Sequence, residues 1–389
     1  MSSMNRRDWL KASALATGSL PFMAGAWNGL AAMTAPGVKH NTSRRLTDAE
    51  FQAQAPGELK ARLFANENPF GPSDKAKKAI IDSIANSYQY PFMRLGELEE
   101  KITAFEGIQK AQLLLSAGSS PLLMAAAICF CKDGGNVVTG DPTYEDLPQC
   151  AERLGAKWIK VPLTADYKMD LDAMEKAVNA DTKLVYICNP NNPTATAVDT
   201  EKLKAFCERV SKKVTVFVDE AYIDYLPDPQ SVTLVDGVKK GQNLIVARTF
   251  SKLYGFAGLR VGYIISQPSI LQNMEKFTKD KYAISALALP AAIASYQDQP
   301  FLQDALKKTI ASKEYLYKVL KEEGYEYIPS VANFVMFPLK MDGQRFVEEM
   351  MKRGVGLRNW QFNNQEWCRI SIGRMDEMEA FAAAFKELS

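Results

Sequence analysis

The chain has 389 residues, 47% hydrophobic and 24% charged, and its 47 basic and 45 acidic side chains interleave to a formal net charge of +2. That length is long for one core and suits a large domain with a smaller companion, while the balanced charge provides neither a basic face for nucleic acid nor a polybasic membrane anchor. The single histidine, His40, lies outside any motif, and the six cysteines show no CxxC pair or zinc spacing; a histidine triad and a metal site are disfavoured, and proton transfer falls to Lys, Tyr, Asp or Glu.

In chain order, the first element is an address. Arg6-Arg7 is followed by Asp8-Trp9-Leu10-Lys11 and then by a moderately apolar stretch rich in Ala, Gly and Ser. This resembles a twin-arginine export signal. Gly18, Pro21 and Gly25 make the stretch a poor membrane-spanning helix, and Ala24-Gly25-Ala26 offers a small-x-small cleavage site. The expectation is a signal peptide over residues 1–35, a periplasmic protein, and contact with the membrane only during export. The alternative is a cytoplasmic protein with a mildly basic tail. The twin-arginine route carries folded proteins, which agrees with a cysteine set that shows no disulfide framework.

After a polar linker near Lys39–Asp48, helical patterns occupy Lys75–Ala85, Arg94–Phe105 and Pro121–Cys131. Short β-rich runs recur at Asn136–Thr139, Lys157–Val161, Lys183–Cys188, Val214–Val218 and Leu244–Ala247, with helical patterns such as Leu171–Asn179 and Glu201–Lys212 between them. Short apolar strands separated by helices predict an α/β fold, a mostly parallel sheet covered on both faces. Helical patterns at Glu314–Glu323, Arg345–Arg353 and Asp376–Leu388, with a strand at Cys368–Ile372, suit a smaller α+β domain. The predicted division is an N-terminal arm over 36–74, a large domain over 75–295 and a small domain over 296–389.

Three motifs follow predicted strands: Asn189-Pro190-Asn191-Asn192-Pro193-Thr194, Asp219-Glu220-Ala221-Tyr222, and Thr249-Phe250-Ser251-Lys252 with Arg260 beyond it. In open α/β sheets the ligand sits beyond the carboxyl ends of the strands, so all three motifs can meet in one crevice. A fourth, Gly118-Ser119-Ser120 before the Pro121 helix, places backbone N–H groups at a helix N-terminus, a favoured seat for an anion.

Together these motifs resemble those of the class I/II (fold type I) aminotransferases, and among them the histidinol-phosphate aminotransferase-like branch, from about Ala65 to the C-terminus. The resemblance implies the aspartate aminotransferase-like fold of the pyridoxal-phosphate-dependent transferases, and pyridoxal 5′-phosphate as cofactor. Lys252 then holds the cofactor as a Schiff base and moves the substrate proton, Asp219 pairs with the pyridine nitrogen, and Tyr222 and Asn192 hydrogen-bond the 3′-oxygen. Tyr144, in Asp141-Pro142-Thr143-Tyr144, matches the ring stacked on the cofactor. Gly118, Ser119, Ser120, Thr249, Ser251 and Arg260 form the phosphate cup. Tyr90 reaches the phosphate from a neighbouring subunit, which implies a homodimer with shared active sites. For substrate, Arg369 matches the arginine that grips the α-carboxylate and Arg358 a second one, and the segment containing Glu67 and Asn68 lines the pocket. The implied reaction is transamination between an amino acid, or a histidinol-phosphate-like amine, and a 2-oxo acid. The alternatives are a decarboxylase, lyase or oxidase using the same cofactor, and, outside enzymes, a cofactor-sensing regulator.

Two positions depart from the family pattern. Ala195 stands where glycine usually follows Asn-Pro-Thr, so the turn has to accept a Cβ, and the cup reads Gly-Ser-Ser-Pro where acidic residues commonly follow. Backbone donors survive both changes.

Overall fold

A computed structural model describes residues 59–278 and 280–388. The export signal expected over 1–35, His40 and the larger part of the arm expected over 36–74 lie outside the described residues.

The first strand, β1 (Ala61–Arg62), is followed by seven strands that build one sheet: β2 (Leu113–Ser116), β3 (Asn136–Asp141), β4 (Lys157–Pro162), β5 (Thr182–Cys188), β6 (Val216–Asp219), β7 (Leu244–Thr249) and β8 (Gly262–Ser266). Their order is β2-β8-β7-β6-β5-β3-β4. Strands β7, β6, β5, β3 and β4 pair in parallel, and β8 runs antiparallel to both its neighbours. Every residue of β6 and β7 is buried, as expected of parallel strands covered on both faces. The edge strand β4 instead exposes Lys157, Lys160 and Pro162, which discourages pairing with another chain.

The five predicted strands are present, and β7 runs two residues past its expected end, to Thr249. Strands β2 and β8 were not anticipated; each is a short apolar run without alternation, so neither carries a period of its own. Helix starts are fixed by side chains: Ser73 accepts from Ala76 N at 3.2 Å, Asp170 from Ala173 N at 2.9 Å, and Asp199 from Lys202 N at 2.9 Å. The helix Ser120–Cys131 carries no such side-chain cap and has Pro121 in its first turn, so its N-terminal amides point at the space beyond β2.

A second core is built by β9 (Phe334–Pro338), β10 (Val355–Gly356), β11 (Arg358–Phe362) and β12 (Gln365–Ser371) with the helices Gly343–Lys352 and Met375–Lys386. Strands β11-β12-β9 form an antiparallel sheet, whereas β10 pairs in parallel with β1. Ala61 and Leu63 therefore pack among Phe337, Phe346, Ile370 and Phe385 of this second core. The helix Gln299–Glu322 serves both cores, with Leu302 and Ala305 in the first and Leu316, Val319 and Leu320 in the second. From Leu63 the chain passes the loop after β7, where the Asn66 carbonyl accepts from Lys252 Nζ and Asn68 Nδ2 donates to Leu253 O.

Candidate active site

Strands β5, β6 and β7 end side by side, and the residues that follow them converge on a cavity of about 280 Å³. Its wall contains Ser119, Ser120, Tyr144, Asn192, Asp219, Tyr222, Thr249, Ser251, Lys252, Arg260, Arg358 and Arg369. Twelve of the sixteen residues singled out in the sequence thus share one space.

The floor is Asp219, at the end of β6. Its carboxylate is buried and receives hydrogen bonds from Tyr186 Oη at 3.2 Å and Ala221 N at 3.1 Å. Burial pushes its carboxyl up to about 6, against the pull of those two donors and of the Lys252 ammonium. A carboxylate desolvated to this degree calls for a cationic partner arriving from the cavity. The Lys252 Nζ lies 5.2 Å from the Tyr222 ring centroid and donates to the Asn66 carbonyl at 3.4 Å.

The end facing the helix Ser120–Cys131 is cationic. Arg260 is held at φ 56° and donates to Ser251 Oγ and Ala257 O, each at 3.0 Å. Among the described residues it pairs with no carboxylate. Thr249 Oγ1 donates to Ser251 Oγ at 3.0 Å. Gly118 does not line the cavity but supports it from behind. At φ +88° it has no room for a side chain, since a Cβ would lie 2.2 Å from Arg260 Nη2.

One long side is the Tyr144 ring, whose hydroxyl donates to Asp146 Oδ2 at 2.5 Å. Burial and the Asp146 carboxylate push that phenol well above its usual range. The loop after β5 is locked to the loop after β3 through Asn191, which accepts from Thr143 Oγ1 at 3.0 Å and donates to Pro142 O at 3.1 Å. Ala195 in that loop is fully buried at φ 58°, the left-handed conformation that glycine adopts freely. The methyl group is accommodated: Ala195 N donates to Asn191 O and Ala195 O accepts from Val331 N, at 2.8 and 2.9 Å.

The opposite side comes from the second core. Arg369 on β12 is buried, donates to Asn192 Oδ1 at 2.8 Å and to Phe64 O at 2.7 Å, and sits directly across from Arg358 on β11. Two like charges on adjacent strands repel unless an anion lies between them or beside them.

Three expectations are placed elsewhere. Glu67 turns away from the cavity to pair with Arg62 at 2.8 Å, and Asn68 holds the chain itself by donating to Leu253 O at 2.6 Å. Tyr90 lies outside this cavity with 78% of its surface exposed, beside Met93 at 85%. Four residues of the wall were not among the named candidates, namely Ala65, Asn66, Cys188 and Ala221, although Asn66 opens the segment expected to line the pocket. Asn66 is the informative one. It adopts φ 54°, so the side chain that enters the site is one position earlier than the sequence suggested. Cys188, the last residue of β5, is a buried thiol whose desolvation holds it well above the usual range.

With this geometry in place, comparison with known proteins is informative. The family description "Aminotransferase class I and II" matches residues 60–385. A histidinol-phosphate aminotransferase of Moorella thermoacetica is 33% identical over 329 residues, covering 84% of this chain and 85% of that protein. The solved structure of histidinol-phosphate aminotransferase from Sinorhizobium meliloti in complex with pyridoxal-5′-phosphate superposes with a TM-score of 0.82 at 27% identity, covering 89% of this chain and 96% of that one. L-threonine-O-3-phosphate decarboxylase from Porphyromonas gingivalis shares the fold, with a TM-score of 0.73 at 20% identity and 84% and 98% of the two chains covered.

Proposed function

The chain belongs to the class I and II aminotransferases, and from that premise we propose the roles of its individual residues, its substrates and its location. It is a pyridoxal-5′-phosphate-dependent aminotransferase that moves an amino group between an amino acid and a 2-oxo acid. The observation that carries the residue assignment is a single cavity with a buried carboxylate at one end, an anion cup at the other and one primary amine between them.

The cavity fits the cofactor. The cup has an uncapped helix N-terminus, Arg260 and the hydroxyls of Thr249 and Ser251, a donor set suited to a phosphate dianion. Gly118 is excluded from carrying a Cβ by the same arginine. The buried Asp219 carboxylate suits a protonated ring nitrogen, and Tyr144 supplies a flat wall. When bound, pyridoxal 5′-phosphate supplies an aldehyde that takes up amino groups and a ring that accepts the electron pair left at the substrate Cα.

Lys252 would hold the aldehyde, and its Nζ is the amine in the cavity that would carry the proton taken from the substrate Cα. Asp219 keeps the opposing positive charge in place where water cannot screen it. Arg369, held in position by Asn192 and the Phe64 carbonyl, is the charge that would meet the substrate carboxylate. Arg358 adds charge near the substrate's far end. Borohydride reduction followed by peptide mass spectrometry is expected to fix the coenzyme on Lys252. A panel of amino acids is expected to bleach its visible band with stoichiometric formation of pyridoxamine phosphate. Release of CO₂, ammonia or peroxide instead would make the chain a decarboxylase, lyase or oxidase on the same site.

Two further parts of the proposal concern assembly and place. Ile81, Ile84, Tyr88, Tyr90, Phe92 and Met93 form an exposed apolar surface, with Tyr90 stacked on Phe92 at 5.4 Å. A patch of this kind marks a protein contact, and a second copy of the chain is the occupant that brings Tyr90 to a phosphate cup. Sedimentation equilibrium at micromolar concentration tests the homodimer, and a monomer refutes it. Arg6-Arg7 and the apolar stretch after them support export by the twin-arginine route into the periplasm. A periplasmic enzyme meets free amino acids rather than phosphorylated intermediates retained in the cytoplasm, which favours an amino acid donor over histidinol phosphate. Replacing Arg6 and Arg7 by lysines is expected to strand the protein in the cytoplasm, and unchanged export would refute this part.

A further inference from the structure

Asn66 lies at the meeting point of both cores and the two side chains closest to the chemistry. Its backbone N donates to Ser371 Oγ at 2.8 Å, and Ser371 Oγ donates to Asn66 Oδ1 at 2.9 Å. Its Nδ2 donates to the Tyr222 hydroxyl at 3.1 Å. Its carbonyl accepts from Lys252 Nζ at 3.4 Å and from Asn333 Nδ2 at 3.1 Å. Asn66 is 1% exposed and Ser371 3%, so water cannot make up for a lost partner.

The donor and acceptor pattern has one satisfied arrangement. Ser371 Oγ receives the Asn66 backbone N–H, so its own proton has to find an acceptor, and the amide oxygen of Asn66 is beside it. Turning the amide over would orphan that buried hydroxyl proton. The Asn66 NH₂ is therefore fixed toward Tyr222, and the Tyr222 oxygen receives a proton there rather than giving one. The phenol's own proton has to point elsewhere, into the cavity that Tyr222 and Lys252 share.

We propose that Asn66 is a positioning residue that aims the Tyr222 proton into the cavity and is itself held in register by Ser371 of the second core. The role rests on the proposal that Lys252 holds the coenzyme and on the family resemblance that sets the Tyr222 hydroxyl on its 3′-oxygen, and it links strand β12, which carries both Ser371 and Arg369, to that hydroxyl. Asn66 does not touch the reacting atoms through its side chain; it acts through Tyr222. The other charged or titratable groups facing the same space are Asp219, Tyr144, Cys188, Arg260, Arg358 and Arg369, and the tests below leave all of them in place.

The test uses the holoenzyme and two substitutions. Asn66→Gly keeps the left-handed backbone at φ 54° and removes the amide. Ser371→Ala leaves the amide but frees its orientation. For each variant the pH midpoint of the bound coenzyme's visible absorbance change is measured, together with coenzyme Kd and kcat. Asn66→Gly is expected to raise the midpoint by about half a pH unit and to lower kcat by about threefold to tenfold. Ser371→Ala is expected to shift both in the same direction by less. In a Tyr222→Phe background Asn66→Gly is expected to leave the midpoint unmoved, because its target is gone. A midpoint that does not move in Asn66→Gly, or that moves equally without the Tyr222 hydroxyl, overturns the proposal. Failure of the underlying assignment looks different: the unaltered enzyme then yields no borohydride-fixed coenzyme on Lys252.

Discussion

Gly118→Ala tests the phosphate cup with a single methyl group. The substituted Cβ would lie 2.2 Å from Arg260 Nη2 and 2.7 Å from its Cζ, so the guanidinium has to move. Moving it breaks the 3.0 Å bond to Ser251 Oγ and carries the charge away from the helix N-terminus. The backbone, at φ +88°, adds strain of about 1–2 kcal/mol. Gly134→Ala separates these effects: its φ is +85° and nothing lies within 4 Å of the added Cβ. Both variants are expected to lose about 1–2 kcal/mol in urea denaturation of the apoprotein. Gly118→Ala alone is expected to bind the coenzyme about 10–100-fold more weakly by equilibrium dialysis, the loss of one charge-assisted contact. Equal coenzyme affinity in the two alanine variants would refute the placement of the cup.

Other outcomes follow from buried charge and backbone conformation. Asp219 has its carboxyl raised from 3.8 to about 6, so between those two pH values the native apoprotein holds a proton that the unfolded chain has released. Stability from this group is fully present below pH 3.8 and is lost as pH rises through 6. Apoprotein Asp219→Asn is accordingly expected to be more stable than the unaltered apoprotein at pH 8, by up to about 3 kcal/mol, while losing nearly all transaminase activity; equal urea midpoints at pH 8 count against this. Arg248 and Glu220 form an ion pair at 2.7 Å with side-chain exposures of 7% and 2%. Arg248→Met leaves the Glu220 charge uncompensated and is expected to cost about 3–5 kcal/mol in denaturant titration, most of it recovered by adding Glu220→Gln. Ala195→Gly is expected to change stability by less than about 0.5 kcal/mol, because relief at φ 58° offsets one lost methyl group. Ala126→Gly, in the buried face of a helix, is expected to cost about 1–2 kcal/mol by the same assay.

Where regular structure carries the site, the sequence was readable. Strands β5, β6 and β7 are nearly continuous apolar runs, and the polar residues directly after them had to emerge at the same edge of the sheet. That geometry alone places Asn192, Asp219, Thr249, Ser251 and Lys252 together. The chain from Leu63 to Gly71 has no period to read, and the positive φ of Asn66 rotates the side chains that follow it, so Glu67 and Asn68 were expected where Asn66 stands. The helix Gln299–Glu322 was legible only from Glu314 onward. Much of the buried face before Glu314 is Ala305, Thr309 and Ser312, which carry little hydrophobic signal. Strands β1 and β10 have two residues each and exist only because they pair with one another.

That last pairing governs how the molecule is made. Ala61 meets Val355 across almost the full described length, so the stretch leading into the catalytic wall has no seat until Val355 and Gly356 have been made. The helix Met375–Lys386 closes the same seat, since Arg62 N donates to Glu377 Oε1 at 3.3 Å. A truncation that removes Met375–Lys386 would therefore loosen Ala61–Arg62 and the wall that follows it first.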